Sequence, residues 1–214
     1  MLDLKKYKQV VFDCDGVILD SNNIKSKAFE DSLKGENDQL ISEFIDYHKK
    51  NGGVSRFVKF EYFFKVLKNQ KNYQKDLNIA LKKYSKLSYQ GLLKCEMIPG
   101  VENILNFLYN QNVDCFVISG GEQSEVMDIL EKRGLSVFFK DIYGSPITKK
   151  EHLKSLQLSD ALYFGDAWSD YDAAKDFGID FIYISNASEW QDGKDFCQSN
   201  NIEILKDFSD LELD

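Results

Sequence analysis

Nowhere in the 214 residues is there a run of roughly 20 apolar positions, the length needed to cross a bilayer, so no membrane anchor is expected. A secretory leader is also missing. Met1 to Lys8 mix charged and apolar residues and pass directly into a strand-like run, without the apolar stretch and small-residue cleavage site that direct export. The cytoplasm is therefore the expected compartment. A basic excess is absent as well: 27 Lys and Arg face 35 Asp and Glu, for a formal charge of -8, and no continuous basic run interrupts that balance. Binding a polyphosphate normally requires a net basic footprint, so nucleic acid is excluded as a partner. The four cysteines, Cys14, Cys95, Cys115 and Cys197, form no CxxC pair, which argues against a structural zinc site or a disulfide framework. Internal repeats and low-complexity segments are not found.

What is present divides the chain into two kinds of pattern. Gln9-Val10-Val11-Phe12 is short, β-branched and aromatic, and it stops at Asp13-Cys14-Asp15-Gly16, which reads as a buried strand ending in a loop. From about Asn23 to Cys95 apolar residues recur at helical spacing. Ile41, Phe44, Ile45 and His48 form one stripe, Phe57, Phe60, Phe64 and Leu67 a second, and Leu77, Leu81 and Tyr84 a third. After Pro99-Gly100 strands and helices alternate: Val101 to Leu108 helical, Cys115 to Ile118 extended, then Val126, Ile129 and Leu130 helical. Strands at Asp141 to Tyr143, Leu162 to Phe164, Phe181 to Ile184 and Ile202 to Leu205 continue the series. This βα repetition predicts an α/β fold, a Rossmann-like mostly parallel sheet with helices on both faces, carrying an inserted all-α unit. The predicted boundaries are 1–20 and 96–214 for the core and 21–95 for the insert.

Ligands of open α/β sheets bind beyond the carboxyl ends of the strands, so the residues directly after each apolar run carry the functional information. There lie Asp13 and Asp15, then Ser119-Gly120-Gly121, then Lys149 after Gly144-Ser145-Pro146, then Gly165-Asp166 with Asp170. Carboxylates from Asp13, Asp166 and Asp170 are hard oxygen ligands suited to a magnesium-like dication, which offsets the charge of a phosphate approaching several acids. Ser119 and the following backbone N–H groups suit phosphoryl oxygens, and Lys149 adds fixed positive charge. Lys149 is preferred to the adjacent Lys150 because of its place after Ser145-Pro146. Of Asp13 and Asp15, one suits a nucleophile and the other an acid and base; two positions apart on an extended segment, they project to one side, with Cys14 pointing away.

These segments, Asp13-Cys14-Asp15-Gly16-Val17, Ser119, Lys149 and Gly165-Asp166-Ala167-Trp168-Ser169-Asp170, resemble the four ordered motifs of the haloacid dehalogenase superfamily, and the match spans nearly the whole chain. The resemblance extends to its phosphatases with a helical cap, such as phosphoglycolate phosphatase and β-phosphoglucomutase-like proteins. It implies that Asp13 is the nucleophile, Asp15 the acid and base, Ser119 with Gly120 and Lys149 the phosphate holders. It implies magnesium bound by Asp13, the backbone carbonyl of Asp15, Asp166 and Asp170. Aspartate at position 15 favours phosphoryl chemistry over carbon–halogen hydrolysis. The segment His48 to Phe64 is similar to cap regions of dehalogenase-like proteins linked to bacterial surface-polysaccharide synthesis, which implies a small phosphorylated building block.

In the polar turn Asn51-Gly52-Gly53-Val54-Ser55-Arg56, glycines permit close backbone approach, and Arg56 and Lys59, one turn apart, are placed to meet an anionic or hydroxylated leaving group. Arg56 pairing with a glutamate of the insert is the alternative. His48 reads as a packed histidine, His152 as a surface residue, and Trp168 as either a pocket wall or core. The expected activity is a magnesium-dependent phosphatase acting on a small organic phosphomonoester, as a monomer. A phosphomutase using the same phospho-aspartate is the alternative, and a silent binding module on the same fold the more distant one.

Overall fold

The computed structural model describes residues 3–213; Met1, Leu2 and Asp214, at the ends of the predicted core segments, lie outside the described residues. Six strands form one parallel sheet: β1 (Gln9–Phe12), β2 (Asp114–Glu122), β3 (Asp141–Ser145), β4 (Ala161–Gly165), β5 (Asp180–Ile184) and β6 (Glu203–Leu205). Their spatial order is β3-β2-β1-β4-β5-β6, and every pairing is parallel. Connections run outward in one direction from β1 and in the other from β4, so the topological switch point, where open α/β sheets bind ligands, falls between those two strands.

The period of two along the strands separates the two faces of the sheet. Val10, Phe12, Val117, Leu162 and Phe164 pack beneath α5 (Val101–Asn110) and α6 (Gln123–Lys132). Val11, Phe116, Ile118 and Tyr163 face α7 (Lys149–Ser155) and α8 (Trp168–Phe177). Because strands buried on both faces lose the polar alternation of a surface sheet, β1 and β4 read as continuous apolar runs. One boundary is corrected here. The strand does not end at Ile118, since β2 continues through Ser119 to Gly121 and Glu122 pairs with Ser145 after a register shift; small residues let the strand bend without losing its partner.

Between β1 and α5 the chain folds into α1 (Asn22–Ser32), α2 (Asp38–Lys50), α3 (Arg56–Tyr62) and α4 (Gln74–Leu92). These helices bury an aromatic core of their own around Phe29, Phe44, Phe60, Phe63, Phe64 and Tyr84. Asn37 caps α2 by accepting hydrogen bonds from the backbone N–H groups of Gln39 (2.9 Å) and Leu40 (3.2 Å). In the second predicted stripe Phe60 and Phe64 are buried and Leu67 packs on the insert's core, but its first position shifts by one residue. Phe57 is 41% exposed, while Arg56, Lys59, Phe60 and Phe63 face inward. The inward face of the first turn of α3 meets the core across a polar cleft, so charged residues occupy positions that an apolar pattern assigns to phenylalanine. A wide turn then closes the helix, with Lys68 N–H donating to Phe63 C=O at 2.9 Å. Among the described residues no helix is long and apolar enough to cross a membrane.

Candidate active site

Asp13 follows β1 and Asp166 follows β4, so the two carboxylates flank the switch point. Asp170 joins them from the first turn of α8, where its Oδ2 accepts the Ala167 N–H at 3.1 Å, an arrangement that fixes the side chain against the helix start. One oxygen from each of Asp13, Asp166 and Asp170 lies within 4.8 Å of the others, and all three residues are buried. Lys149 reaches the cluster from the N-terminus of α7. Thr148 and Glu151 cap that helix reciprocally, which orients its first turn and directs Lys149 Nζ to Asp170 Oδ1 at 2.5 Å and Asp13 Oδ1 at 3.0 Å. Lys150 turns outward to Asp172 and Asp176, so the structure separates the two adjacent lysines.

Three buried carboxylates against one ammonium leave the cluster short of positive charge. Burial, reinforced by the charges of Asp170 and Asp15 and only partly offset by Lys149, pushes the Asp13 carboxyl up to about 7. Burial and the neighbouring Asp13 and Asp170 carry Asp166 well above the carboxylate range. Asp13 Oδ1 stands 3.0 Å from Lys149 Nζ in an ion pair and among the described residues accepts no other polar contact. A buried carboxylate oxygen so placed beside two further acids is the donor set of a hard dication, and these residues fit one.

Asp15 is arranged differently. Ser21 Oγ donates to its Oδ1 at 2.6 Å, and Lys25 Nζ forms an ion pair with its Oδ2. Burial alone would raise this carboxyl, but the charge of Lys25 and the bonds from Lys25 and Ser21 hold it below its ordinary value. Its side chain therefore stands outside the three-acid cluster, although Asp13 and Asp15 line one cavity while Cys14 packs into the core, as the two-residue spacing predicts. Ser119 is also buried, and its Oγ accepts the Gly121 N–H at 3.0 Å.

The helical insert closes this cavity from above. The Gly53 backbone adopts φ +73°, and a side chain there would collide with Ser169 and come within 3.1 Å of Lys149 Nζ; one on Gly120 would meet the Gly53 carbonyl. Glycine at both positions lets the insert's polar turn lie directly on the core. Arg56 lines the cavity, and its carboxylate partner is not a glutamate of the insert. Its Nη1 donates to Glu125 of α6 at 2.9 Å and to Ser85 at 2.8 Å, an ion pair across the cleft. Lys59 Nζ donates to His48 Nδ1 at 2.8 Å; the His48 Nε2 side contacts Ser26 Oγ at 2.8 Å, and Ser26 donates to Glu189 of the core at 2.8 Å.

His48 is thus packed, as its stripe predicts, but it lines the cavity. His152 is corrected from surface to buried: its Nε2 hydrogen-bonds the Gly144 carbonyl at 2.8 Å and its ring lies against Tyr143. Trp168, 47% exposed, walls the cavity beside Trp190. Sequence reading missed Asn22, Lys25, Glu125 and Glu189. Asn22 Nδ2 donates to Asp166 Oδ2 at 2.6 Å. A signal existed for two of them, because Asn22, Lys25, Ser26 and Phe29 follow the i, i+3, i+4, i+7 spacing of a single helix face.

Comparison with known proteins agrees with this geometry. YfnB of Bacillus subtilis (strain 168), described as a HAD-hydrolase, is 24% identical over 155 residues, 68% of this chain and 64% of the length of that relative. A crystal structure of YfnB bound to magnesium covers 83% of this chain and 88% of its own, at TM-score 0.62 and 23% identity. A predicted phosphoglycolate phosphatase from Haemophilus somnus 129PT superposes at TM-score 0.74 with 17% identity, covering 97% of both chains. β-Phosphoglucomutase from Clostridium difficile does so at 0.72 with 16% identity, over 96% of this chain and 93% of that one. These likenesses establish the fold. A family model for the haloacid dehalogenase-like hydrolases matches residues 10–184, more than half of the chain, and with it the protein takes its place as a member of that family.

Proposed function

We propose that the protein is a magnesium-dependent phosphatase that transfers the phosphoryl group of a small organic phosphomonoester to Asp13 and then to water. The observation that carries this reading is the buried Asp13 Oδ1, which among the described residues has no polar contact besides Lys149 Nζ and stands beside Asp166 and Asp170 on the cavity floor. Asp13, Asp166, Asp170 and the backbone carbonyl of Asp15 would hold the ion, and the choice of magnesium is supported by the similar YfnB structure, which is bound to magnesium. When bound, magnesium supplies positive charge that offsets the phosphate against the acidic floor.

In the first step an Asp13 carboxylate oxygen attacks phosphorus and the ester P–O bond breaks, while Asp15, which must enter this step protonated against the pull of Lys25, gives its proton to the departing alkoxide. In the second, water attacks phosphorus, Asp15 accepts its proton, and the acyl-phosphate bond breaks to release inorganic phosphate and restore Asp13. Lys149, Ser119 and the Gly120 N–H hold the phosphoryl oxygens and offset the charge that spreads over them. Lys25 and Ser21 keep the Asp15 carboxylate at one place over the reacting oxygen. On this reading residues 21–95 are a closing cap over a core of 1–20 and 96–214, and a phosphorylated metabolite is the partner.

A phosphomutase using the same phospho-aspartate is the second reading, and it would have to hold a bisphosphorylated sugar and turn it over within the closed site. Phosphate release from a panel of phosphomonoesters, with and without magnesium, tests the proposal. Metal-dependent release supports it, and isomer formation without net phosphate release would replace it with the mutase.

A further inference from the structure

The two walls of the closed cavity carry opposite charge. From the core come Asp13, Asp15, Glu125, Asp166 and Glu189; from the insert come Lys25, Lys49, Lys50, Arg56 and Lys59. Most of these charges are matched on the page. Lys25 pairs with Asp15, Arg56 with Glu125, and Lys49 lies 3.9 Å from Glu189, while Lys50 is exposed at the rim. Asp13 and Asp166 belong to the floor that meets the ion and the phosphate.

One charge is left over. Lys59 is 2% exposed, and among the described residues no carboxylate oxygen lies within 4.0 Å of its Nζ. Its ammonium donates to His48 Nδ1 at 2.8 Å, reaches the His48 carbonyl at 3.4 Å and stands 5.5 Å from the centre of the Phe29 ring, so its remaining partners are uncharged and none neutralises it. Burial, with the nearby charge of Lys25, pushes this ammonium down to about 7. A buried unmatched cation is costly, and the cost is offset when an anion arrives. The chain from His48 through Ser26 to Glu189 does not supply that anion directly, but it fixes His48 as an acceptor and so holds Nζ at the cavity wall. Five cations on the wall that faces the leaving group also weigh against a cationic one, despite the neighbouring tryptophans.

We infer that Lys59 is the specificity-determining residue of this site and that the leaving group of the substrate carries a second anionic group, which Lys59 binds. The inference rests on the phosphatase reading and adds the class of substrate: a short phosphomonoester of a hydroxy acid, or a short bisphosphate. Arg56, the other cation of that helical turn, is already paired with Glu125 and does not share the role.

The test compares esters that differ only in the second charge. Phosphate release is measured for 3-phosphoglycerate against glycerol 3-phosphate, and for propane-1,3-diol bisphosphate against its monophosphate, with p-nitrophenyl phosphate as a general reporter. Wild-type kcat/KM is expected to favour the doubly anionic member of at least one pair by about 10-fold or more, the size of a buried charge-assisted bond. The carboxylate pair and the phosphate pair tell the two sources of charge apart. In Lys59→Met that ratio falls toward one, through KM more than kcat, whereas Lys65→Met, an exposed lysine on the far side of the insert, keeps the wild-type ratio. Equal wild-type rates within both pairs would overturn the inference while release from p-nitrophenyl phosphate leaves the phosphatase reading standing; this comparison needs no variant to fold. A ratio unchanged in Lys59→Met would also overturn it. No release from any ester would overturn both.

Discussion

The floor of the site and its roof handle charge in opposite ways. On the floor, Asp13, Asp166 and Asp170 converge on one point with a single lysine among them, so the core concentrates unmatched negative charge where a cation and a phosphate are to meet. On the roof, cations are dispersed along helices and tied off one by one: Lys25 to Asp15 and Arg56 to Glu125, with Lys59 left over. On the proposed reading the floor serves chemistry common to phosphate esters, and the roof decides which ester closes it. The difference teaches where to look for each property. Reactivity resides at strand ends whose positions the sheet fixes, and selectivity in the charge that the insert leaves unpaired.

The largest expected effect breaks the floor. Asp13→Asn removes the attacking oxygen's charge and should lower magnesium-dependent phosphate release by about 10⁴-fold or more, as loss of a covalent nucleophile does elsewhere. Retention of full activity would remove Asp13 from the chemistry. A smaller effect is expected at the roof. Arg56→Met strands the largely buried Glu125 carboxylate and should weaken the closed arrangement by about 2–3 kcal/mol, read as a KM higher by roughly 10–100-fold with kcat less affected. Adding Glu125→Gln should recover part of that loss, because the stranded charge goes with it. A fall in kcat alone would place Arg56 against the reacting group instead.

Smaller still, and of opposite sign, is the effect of Lys59→Met on stability. Removing a buried unmatched charge should raise the Tm of the ligand-free protein by a few degrees well below pH 7, where the ammonium is charged in both folded and unfolded chains. A lowered Tm would mean that the charge is matched in the closed state. The smallest effect concerns His48, which burial and the charges of Lys59 and Lys25 push down from 6.5 to about 2. Because the folded value lies below the unfolded one, the unfolded chain binds the extra proton, and stability present above pH 6.5 declines as the pH falls. Between pH 7.5 and 5.5 that loss is about 1 kcal/mol, and thermal melts of His48→Gln should show a correspondingly flatter pH dependence than wild type.

How much of this was legible in the sequence follows the same division. The strand ends were readable because each motif is local: an apolar run, then a carboxylate, a serine or a lysine at its edge. Lys149 was separable from Lys150 by its place after Ser145-Pro146, and it opens α7. The roof was less readable, because its pairings join residues far apart in the chain. Lys25 lies 10 residues from Asp15, Arg56 69 from Glu125, and Ser26 163 from Glu189. No local pattern announces such partners. The shift of the Phe57 stripe has the same origin, since only the core across the cleft makes Arg56 and Lys59 inward-facing. His152 was misread because a histidine among lysines on a short helix looks exposed until the Gly144 carbonyl is placed beneath it.

The account depends most on a phosphoryl group residing on Asp13. Wild-type protein turning over a reactive ester with magnesium, quenched within one turnover and reduced with borohydride, should carry homoserine at position 13, because an acyl phosphate is reduced there and a free carboxylate is not. Peptide mass analysis reads that change directly. Homoserine at position 13, lost when ester or magnesium is omitted, is the predicted result. An unaltered Asp13 during a measured burst of product, or a modified residue elsewhere, would contradict it.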